Sequence, residues 1–480
     1  MIRRRPIPTY SLIMFSLIML IMLQALAVGP ASSETSSPQP EQNHVPDGFT
    51  VTAVGDLICT YPISGMLKAV SPGLLDILQT ADITVGNYED TALDLKSFAG
   101  TAQAEAGGSW LLATPDQPQD LKALGFNMVG RANNHATDWG VEGMRATNQA
   151  LDRAGIVHAG TGETLAAARA PHFLEMKSVR AALIGLTSTF TPMSRAMDPL
   201  GEIPGRGGVN ALRVTRVVTV SPQRFAVLEA LRRAVPPTEW TARPAAGTVT
   251  LETTSYRSDP GVGDSVIRTF EIDARDERDI LSNIRQGKQA ADFTVVSMHS
   301  HEFDQSNLAP AAFLQAIARK AIDAGADIFV GHGPHLLRGI EIYKGKPIFY
   351  SLANFCHMDD ALQPLPRDHY ALLGANPDAI TPAAYMHQWR ELLLNDATLL
   401  ESVVAVSRFE RGNIREIRLY PIDLDALGRA SRRGVPVLAG TEKAQSILKR
   451  LQDLSEPFGT RITIEDVVGI VRIGHQTASP

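Results

Sequence analysis

The strongest constraint on this chain is a pattern met five times: a short apolar run that stops at a cluster of Asp, Glu, Asn or His. Residues 49–54 lead to Gly55-Asp56, and 83–85 lead to Gly86-Asn87-Tyr88-Glu89. Residues 126–129 lead to Gly130-Arg131-Ala132-Asn133-Asn134-His135, with Asp138 close behind. Residues 293–296 lead to His299-Ser300-His301-Glu302, and 327–330 to Gly331-His332-Gly333-Pro334-His335. Uninterrupted apolar runs of this length mark strands buried on both faces, the habit of parallel strands in α/β proteins. Parallel strands bring their carboxyl ends to one edge of one sheet, where such folds collect ligands, so the five clusters are expected to converge. Oxygen and imidazole donors drawn from separate strands suit a divalent cation, and cysteine has no part in the pattern.

The segments between the strands support that reading. Leu67, Leu74, Leu75 and Leu78 fall on one side of a helix expected over 63–80. A second opens with Thr114 as cap and Pro115 in its first position, and Gly125 ends it; a third, 139–154, is ended by Gly155. A strand is expected at 156–158, then a hairpin about Lys177-Ser178. Between 188 and 273 the alternation of strand and helix fails, and the stretch reads as an insertion over the ligand edge, a natural seat for specificity. Helices at 276–290 and 310–324 flank the His299 strand. Hairpins follow about Lys344-Gly345-Lys346 and Arg411-Gly412-Asn413, and an amphipathic helix at 441–455 closes the fold.

Composition narrows the function. With 480 residues, 44% hydrophobic and 20% charged, the chain is long enough for a large core. A net charge of -6 leaves no general basic surface, and no nucleic-acid motif is present, so nucleic acid is excluded as a partner. Arg3, Arg4 and Arg5 precede an apolar run at 10–28 and then small residues. Residues 1–31 thus read as a signal peptide or an N-terminal membrane anchor, 32–47 as a flexible linker, and 48–475 as the folded domain. Either reading places the domain outside the cytoplasm: secreted, periplasmic or anchored. Cys59 and Cys356, the chain's 2 cysteines, flank the expected cleft and are expected within the ~7 Å between Cα atoms that a disulfide tolerates.

Taken together, Gly55-Asp56, Gly86-Asn-Tyr-Glu89, Asn133-Asn134-His135-Ala-Thr-Asp138-Trp-Gly140, His299-Ser-His-Glu302, Gly331-His332-Gly-Pro-His335 and Tyr350-Ser-Leu-Ala-Asn354-Phe355 resemble the bacterial CapA family. That family is named for poly-γ-glutamate capsule synthesis and is related to the calcineurin-like metallophosphoesterases. The resemblance runs from about Phe49 to Arg472 and implies an α/β, four-layer αββα metallophosphoesterase-like sandwich around a metal centre. By the same resemblance Asp56, Glu89, Asn134, His299 and His332 are the metal ligands, with Glu89 bridging. The ions would be one or two, with Mn, Fe or Zn as candidates. His135 matches a substrate-facing acid, and Asp138 is placed to orient it. Arg131, Arg206 and His335 are the candidates for holding an anionic polymer or phosphoester.

Three departures stand out. Ile58 occupies a position where metallophosphoesterases carry a histidine, two residues separate His332 from His335 where they carry one, and His301 stands where the family often has glycine. The function expected is an exported or anchored CapA-type protein of capsule polymer synthesis and export, with a hydrolase or transferase centre and a membrane capsule-synthesis complex as partner. An extracytoplasmic metallophosphatase and a non-catalytic member of an export complex are the two alternatives.

Overall fold

The strand Phe49–Ile58 is the axis of the larger sheet. It pairs in parallel with Ile83–Tyr88 and Asn354–His357, and antiparallel with Glu401–Glu410. Beyond Ile83–Tyr88 lie Met128–Gly130 and Val157–Ala159, both parallel to it. On the other flank Asn413–Asp423, Val468–Arg472 and Thr463–Glu465 run antiparallel, so the ten-stranded sheet is mixed. A second, six-stranded sheet has Arg180–Thr187, Phe293–His299, Ile328–His332 and Lys346–Phe349 in parallel, with antiparallel edges at His172–Glu175 and Ile340–Tyr343. The computed structural model describes residues 45–103, 110–235, 247–358, 361–362, 364–393, 396–429 and 432–473. The signal-or-anchor segment and nearly all of the linker fall outside them. No helix among the described residues is long and apolar enough to cross a membrane.

Side-chain alternation explains the uninterrupted apolar runs. Val51, Ala53, Val85 and Met128 of the larger sheet share one core cluster with Leu183, Val295, Ile328 and Val330 of the smaller one. The other face of the larger sheet, with Val54, Leu57, Tyr88 and Val129, packs on helix residues Leu67, Leu74, Leu121, Leu124 and Leu151. The other face of the smaller sheet, with Ile184, Val296 and Phe329, packs on Ile280, Ile284, Leu314 and Ile317. Each central strand is thus apolar on both sides because each side is covered.

The structure corrects several local expectations. The five cluster-bearing strands belong to two sheets and not to one. The helix expected over 63–80 is two, Ser64–Val70 and Pro72–Gln79, because Pro72 lacks the N–H needed to continue the first. The helix after Thr114 begins later, as Gln117–Leu124 with Asp116 before it. Ala274–Ala290 starts at Asp273, whose carboxylate accepts from the Arg275 and Asp276 amides.

Within 188–273, Val214–Val220, Thr248–Leu251, Thr254–Ser258 and Ile267–Ile272 form a separate four-stranded sheet. Phe270 packs on Phe313 of the helix Ala312–Asp323, at 5.6 Å between ring centroids, on the outer flank of the smaller sheet. Two parts of the stretch touch the strand ends: its beginning, where the Ser188 and Thr189 hydroxyls donate to Glu302, and Val209 with Ala211, which pack on Ala132 and Ala136.

Candidate metal centre

The two sheets deliver different chemistry to a common point. From the larger sheet, Asp56 stands beside Asn87 and Asn354 in parallel register, all three buried. Asn87 and Glu89 are two apart on extended chain and so share a face. The Asn87 Nδ2 group donates to Asp56 Oδ1 at 2.9 Å and to Glu89 Oε1 at 3.0 Å, and lies 3.1 Å from His299 Nδ1. Asn133 in turn donates to Asn87 Oδ1 at 3.2 Å and to the Tyr88 carbonyl at 3.0 Å. An amide two steps behind the carboxylates therefore fixes how they face.

From the smaller sheet come the imidazoles. His299 and His332 are register partners on neighbouring parallel strands. His299 Nδ1 lies 3.7 Å from Glu89 Oε1, and His332 Nδ1 lies 3.6 Å from Asp56 Oδ1. The turn after His332 is tight: at Gly333, with φ 113°, a Cβ would sit 2.9 Å from the Ser300 backbone. Its amide donates to Asp56 Oδ2 at 3.2 Å. His335, at φ 56°, takes the left-handed conformation that side chains rarely adopt. In that pose its Nδ1–H donates to Asn354 Oδ1 at 2.8 Å and lies 3.4 Å from Asp56 Oδ2. His301 Nε2 lies 2.9 Å from His299 Nε2, extending the imidazole row toward His335.

His135 and Asp138 form a pair of their own. Nδ1–H of His135 donates to Asp138 Oδ2 at 2.8 Å, which directs Nε2 toward Glu89 Oε2, 3.9 Å away. The Leu111 amide also donates to Asp138 Oδ2 at 2.9 Å.

Burial and charge set the protonation pattern. Burial opposes ionisation of Asp56, yet hydrogen bonding to His335, and then the charges that His335, His332 and His299 carry when protonated, outweigh it and hold the carboxyl well below the usual range. Glu89 goes the other way: burial, then the nearby Asp56 charge, push it well up. Burial raises Asp138 against the opposing pull of His135. Burial lowers His299 well below an ordinary imidazole, with His301 adding to it. It also lowers His332 to about 4 and His301 to about 3. The rings thus stand as neutral lone-pair donors beside one firm carboxylate.

That donor set fits a cation. Asp56, Glu89 and His335 each offer a ligand atom within 4.8 Å of the others. Buried polar atoms without a hydrogen-bond partner include Glu89 Oε2 and both ring nitrogens of His332 at this place, and Asn134 Oδ1 on the residue next to His135. Buried polar atoms are normally satisfied, so the orphans at the carboxylate pair call for a common partner.

The expected ligands Asp56, Glu89, His299 and His332 are brought together by the contacts above, with Asn134 beside His135. His335, expected at the substrate, stands among the carboxylates. Arg131 is fully buried, and its guanidinium donates to the Tyr88 and Asp90 carbonyls at 2.6 and 3.0 Å. Arg206 lies in a hairpin, its Nε bonded to the Arg195 carbonyl at 3.1 Å. Asn87 and Asn354 received no role from sequence. The spacing of Asn87 from Glu89 carried the signal for the first, whereas Asn354 needed the parallel pairing with Asp56.

A mixed α/β chain with carboxylates from one sheet meeting imidazoles from another defines the class. The model of the bacterial capsule synthesis protein family PGA_cap matches residues 50–358, and the chain belongs to that family. It is 47% identical over 440 residues to the uncharacterised protein y4sH of Sinorhizobium fredii, covering 90% of this chain and 94% of that one. It is 26% identical over 360 residues to the capsule biosynthesis protein CapA of Bacillus anthracis, covering 72% of this chain and 68% of that one. A solved structure, the NAD nucleotidase NadN of Haemophilus influenzae, overlaps 84% of this chain and 62% of its own at a TM-score of 0.28 and 10% identity.

Proposed function

We propose that this protein serves the synthesis and export of an anionic capsule polymer of the poly-γ-glutamate kind, through a divalent-metal centre that hydrolyses or transfers a phosphoryl or acyl group. The observation that carries the reading is the set of orphaned atoms, Glu89 Oε2 and both His332 nitrogens, around the Asp56–Glu89–His335 group. Two sheets packed face to face with helices outside them support the four-layer metallophosphoesterase-like reading of the fold. The domain acts outside the cytoplasm in this proposal, secreted, periplasmic or anchored, and works with a membrane capsule-synthesis complex.

Asp56, Glu89, Asn134, His299, His332 and His335 would hold one or two ions, with manganese, iron and zinc all compatible with oxygen and imidazole donors. The ion supplies charge stabilisation for a developing oxyanion and makes water a stronger acid. His135 faces Glu89 with Nε2 and is fixed by Asp138 through Nδ1, the posture of a group that passes a proton at Nε2. Asn87 holds the two carboxylates and His299 in their mutual orientation.

Elemental analysis of purified wild type, Asn134→Ala and His135→Ala, paired with complementation of a capsule-deficient strain, tests this reading. Asn134→Ala is expected to lower metal content. His135→Ala is expected to keep it while turnover slows by roughly 10²–10⁴-fold, the usual cost of a lost general acid. Full complementation by His135→Ala but not Asn134→Ala would make the metal structural. Full complementation by both would favour a non-catalytic member of the export complex.

A further inference from the structure

The chain's 2 cysteines are far apart in sequence and take no part in the proposed centre, yet the fold brings them together. Both are fully buried free thiols, and both belong to the cluster under the larger sheet. Cys356 lies in the strand Asn354–His357, opposite Leu57 in parallel register. Cys59 lies two residues beyond Leu57 and so on the same face of the extended chain, its amide donating to Asp90 Oδ2 at 2.6 Å.

We propose that Cys59 and Cys356 are oxidised to a disulfide that staples the strand carrying Asp56 to the strand carrying Asn354. Each thiol gives up its proton, the two sulfurs join, and the two electrons reduce a disulfide donor, such as oxidised glutathione or a dithiol oxidase, to its thiols. Because neither sulfur is exposed in the fold, the exchange takes place in the partly folded chain, as 354–357 docks beside 49–58. Once the core closes, the same burial excludes reductants. Burial also pushes both thiols up, Cys59 most, so the folded reduced pair is poor in the thiolate that exchange requires. The staple spans the centre from below: Asp56 is on one strand, and Asn354, which receives the His335 hydrogen bond, is on the other. The inference rests on that register and shared burial, and holds whether or not the centre binds metal.

The test is to fold the full chain in a glutathione redox buffer, unfold it in denaturant with an alkylating reagent and no reductant, and map the peptides by mass. The expected result is that neither cysteine is alkylated. A linked Cys59–Cys356 peptide appears about 2 Da below the sum of the reduced pair, and the oxidised protein melts roughly 5 °C above the reduced one. Two alkylated cysteines overturn the proposal, as does glutathione retained on either cysteine of a folded protein. A double variant, Cys59→Ser with Cys356→Ser, is expected to melt like reduced wild type and to ignore the redox buffer. A variant that kept the redox-dependent shift would also overturn the proposal. The peptide masses are read without reference to metal or turnover, so failure of the functional reading leaves them intact.

Discussion

The two sheet edges that meet at the centre are built on opposite principles. The larger sheet contributes carboxylates that are heavily hydrogen-bonded, since Asn87, Asn133 and the Gly333 amide between them hold Asp56, Glu89 and one another. The smaller sheet contributes imidazoles, of which His299 and His335 are hydrogen-bonded, while His332 is held by burial and has no hydrogen-bond partner at either nitrogen. A hydrogen-bonded carboxylate keeps its place and charge without a ligand. A buried, unbonded imidazole is kept neutral by desolvation and has its lone pair ready. The larger sheet's edge is organised in advance, His332 on the smaller sheet waits for a partner, and a cation would join the sheets by binding both.

The sharpest way to break that comparison is to cut each edge in turn. Asp56→Ala removes the firm charge and the acceptor that Asn87 and Gly333 both use. It is expected to weaken metal binding by on the order of 100-fold or more, read by calorimetry or competition with a chelator. Asn87→Ala leaves every ligand in place but frees the carboxylates, and should cost about 10–100-fold, the range for groups that orient ligands. If Asn87→Ala left affinity unchanged, the larger sheet's edge would not be organised by that amide, and the contrast drawn here would fail.

Much of this was legible in the sequence because buried parallel strands announce themselves twice, by an uninterrupted apolar run and by the polar cluster at its end. Asp56, Glu89, His299 and His332 are named as candidates that way, and the fold brings them together. The resemblance implies two sheets, but not which strand joins which, since a run such as 293–296 reads the same in either; only the pairing of Phe293–His299 with Arg180–Thr187 decides it. The arginines show a different limit. Arg131 and Arg206 are candidates because guanidinium pairs with carboxylate or phosphate, but charge does not say which way a guanidinium points. Arg131 turns inward to the Tyr88 and Asp90 carbonyls. His335 was legible as a functional residue, while its place beside Asp56 depends on a left-handed backbone that sequence does not show.

A titration sharpens the imidazole side. His332 has an ordinary value of 6.5 and is lowered to about 4 in the fold, first by burial, with Asp56 opposing. Between those values the unfolded chain binds the proton and the folded chain does not, so acid favours unfolding. The contribution is absent above about 6.5 and complete below about 4, where it reaches about 3 kcal/mol. Glu89, raised by burial and by Asp56, takes up its proton in the fold first and works in the opposite direction as pH falls. The melting temperature of chelator-treated wild type is therefore expected to fall from pH 6.5 to 4, and His332→Asn should flatten that fall. Equal slopes for the two proteins would mean that His332 is not held neutral by burial.

The smallest effect expected separates the inserted stretch from the centre. Arg206 bonds through Nε to the Arg195 carbonyl within its own hairpin, and no salt bridge to it is present among the described residues. Arg206→Ala should then leave metal content unchanged and move stability by no more than about 0.5 kcal/mol, as surface changes usually do. The measurement that matters is affinity for an anionic polymer, with poly-γ-glutamate as the probe. Guanidinium recognition of a carboxylate is worth enough that its loss from a true contact would weaken binding by about tenfold. A tenfold loss with unchanged metal content would place the hairpin on the path of the polymer, and the sequence expectation for Arg206 would stand. No loss would leave the packing of Val209 and Ala211 on Ala132 and Ala136, and the Ser188–Thr189 contact with Glu302, as the parts of the stretch that shape the edge. The effect of that contact on the imidazole row would then be indirect, through the Thr189 hydroxyl that accepts the His301 amide at 2.8 Å.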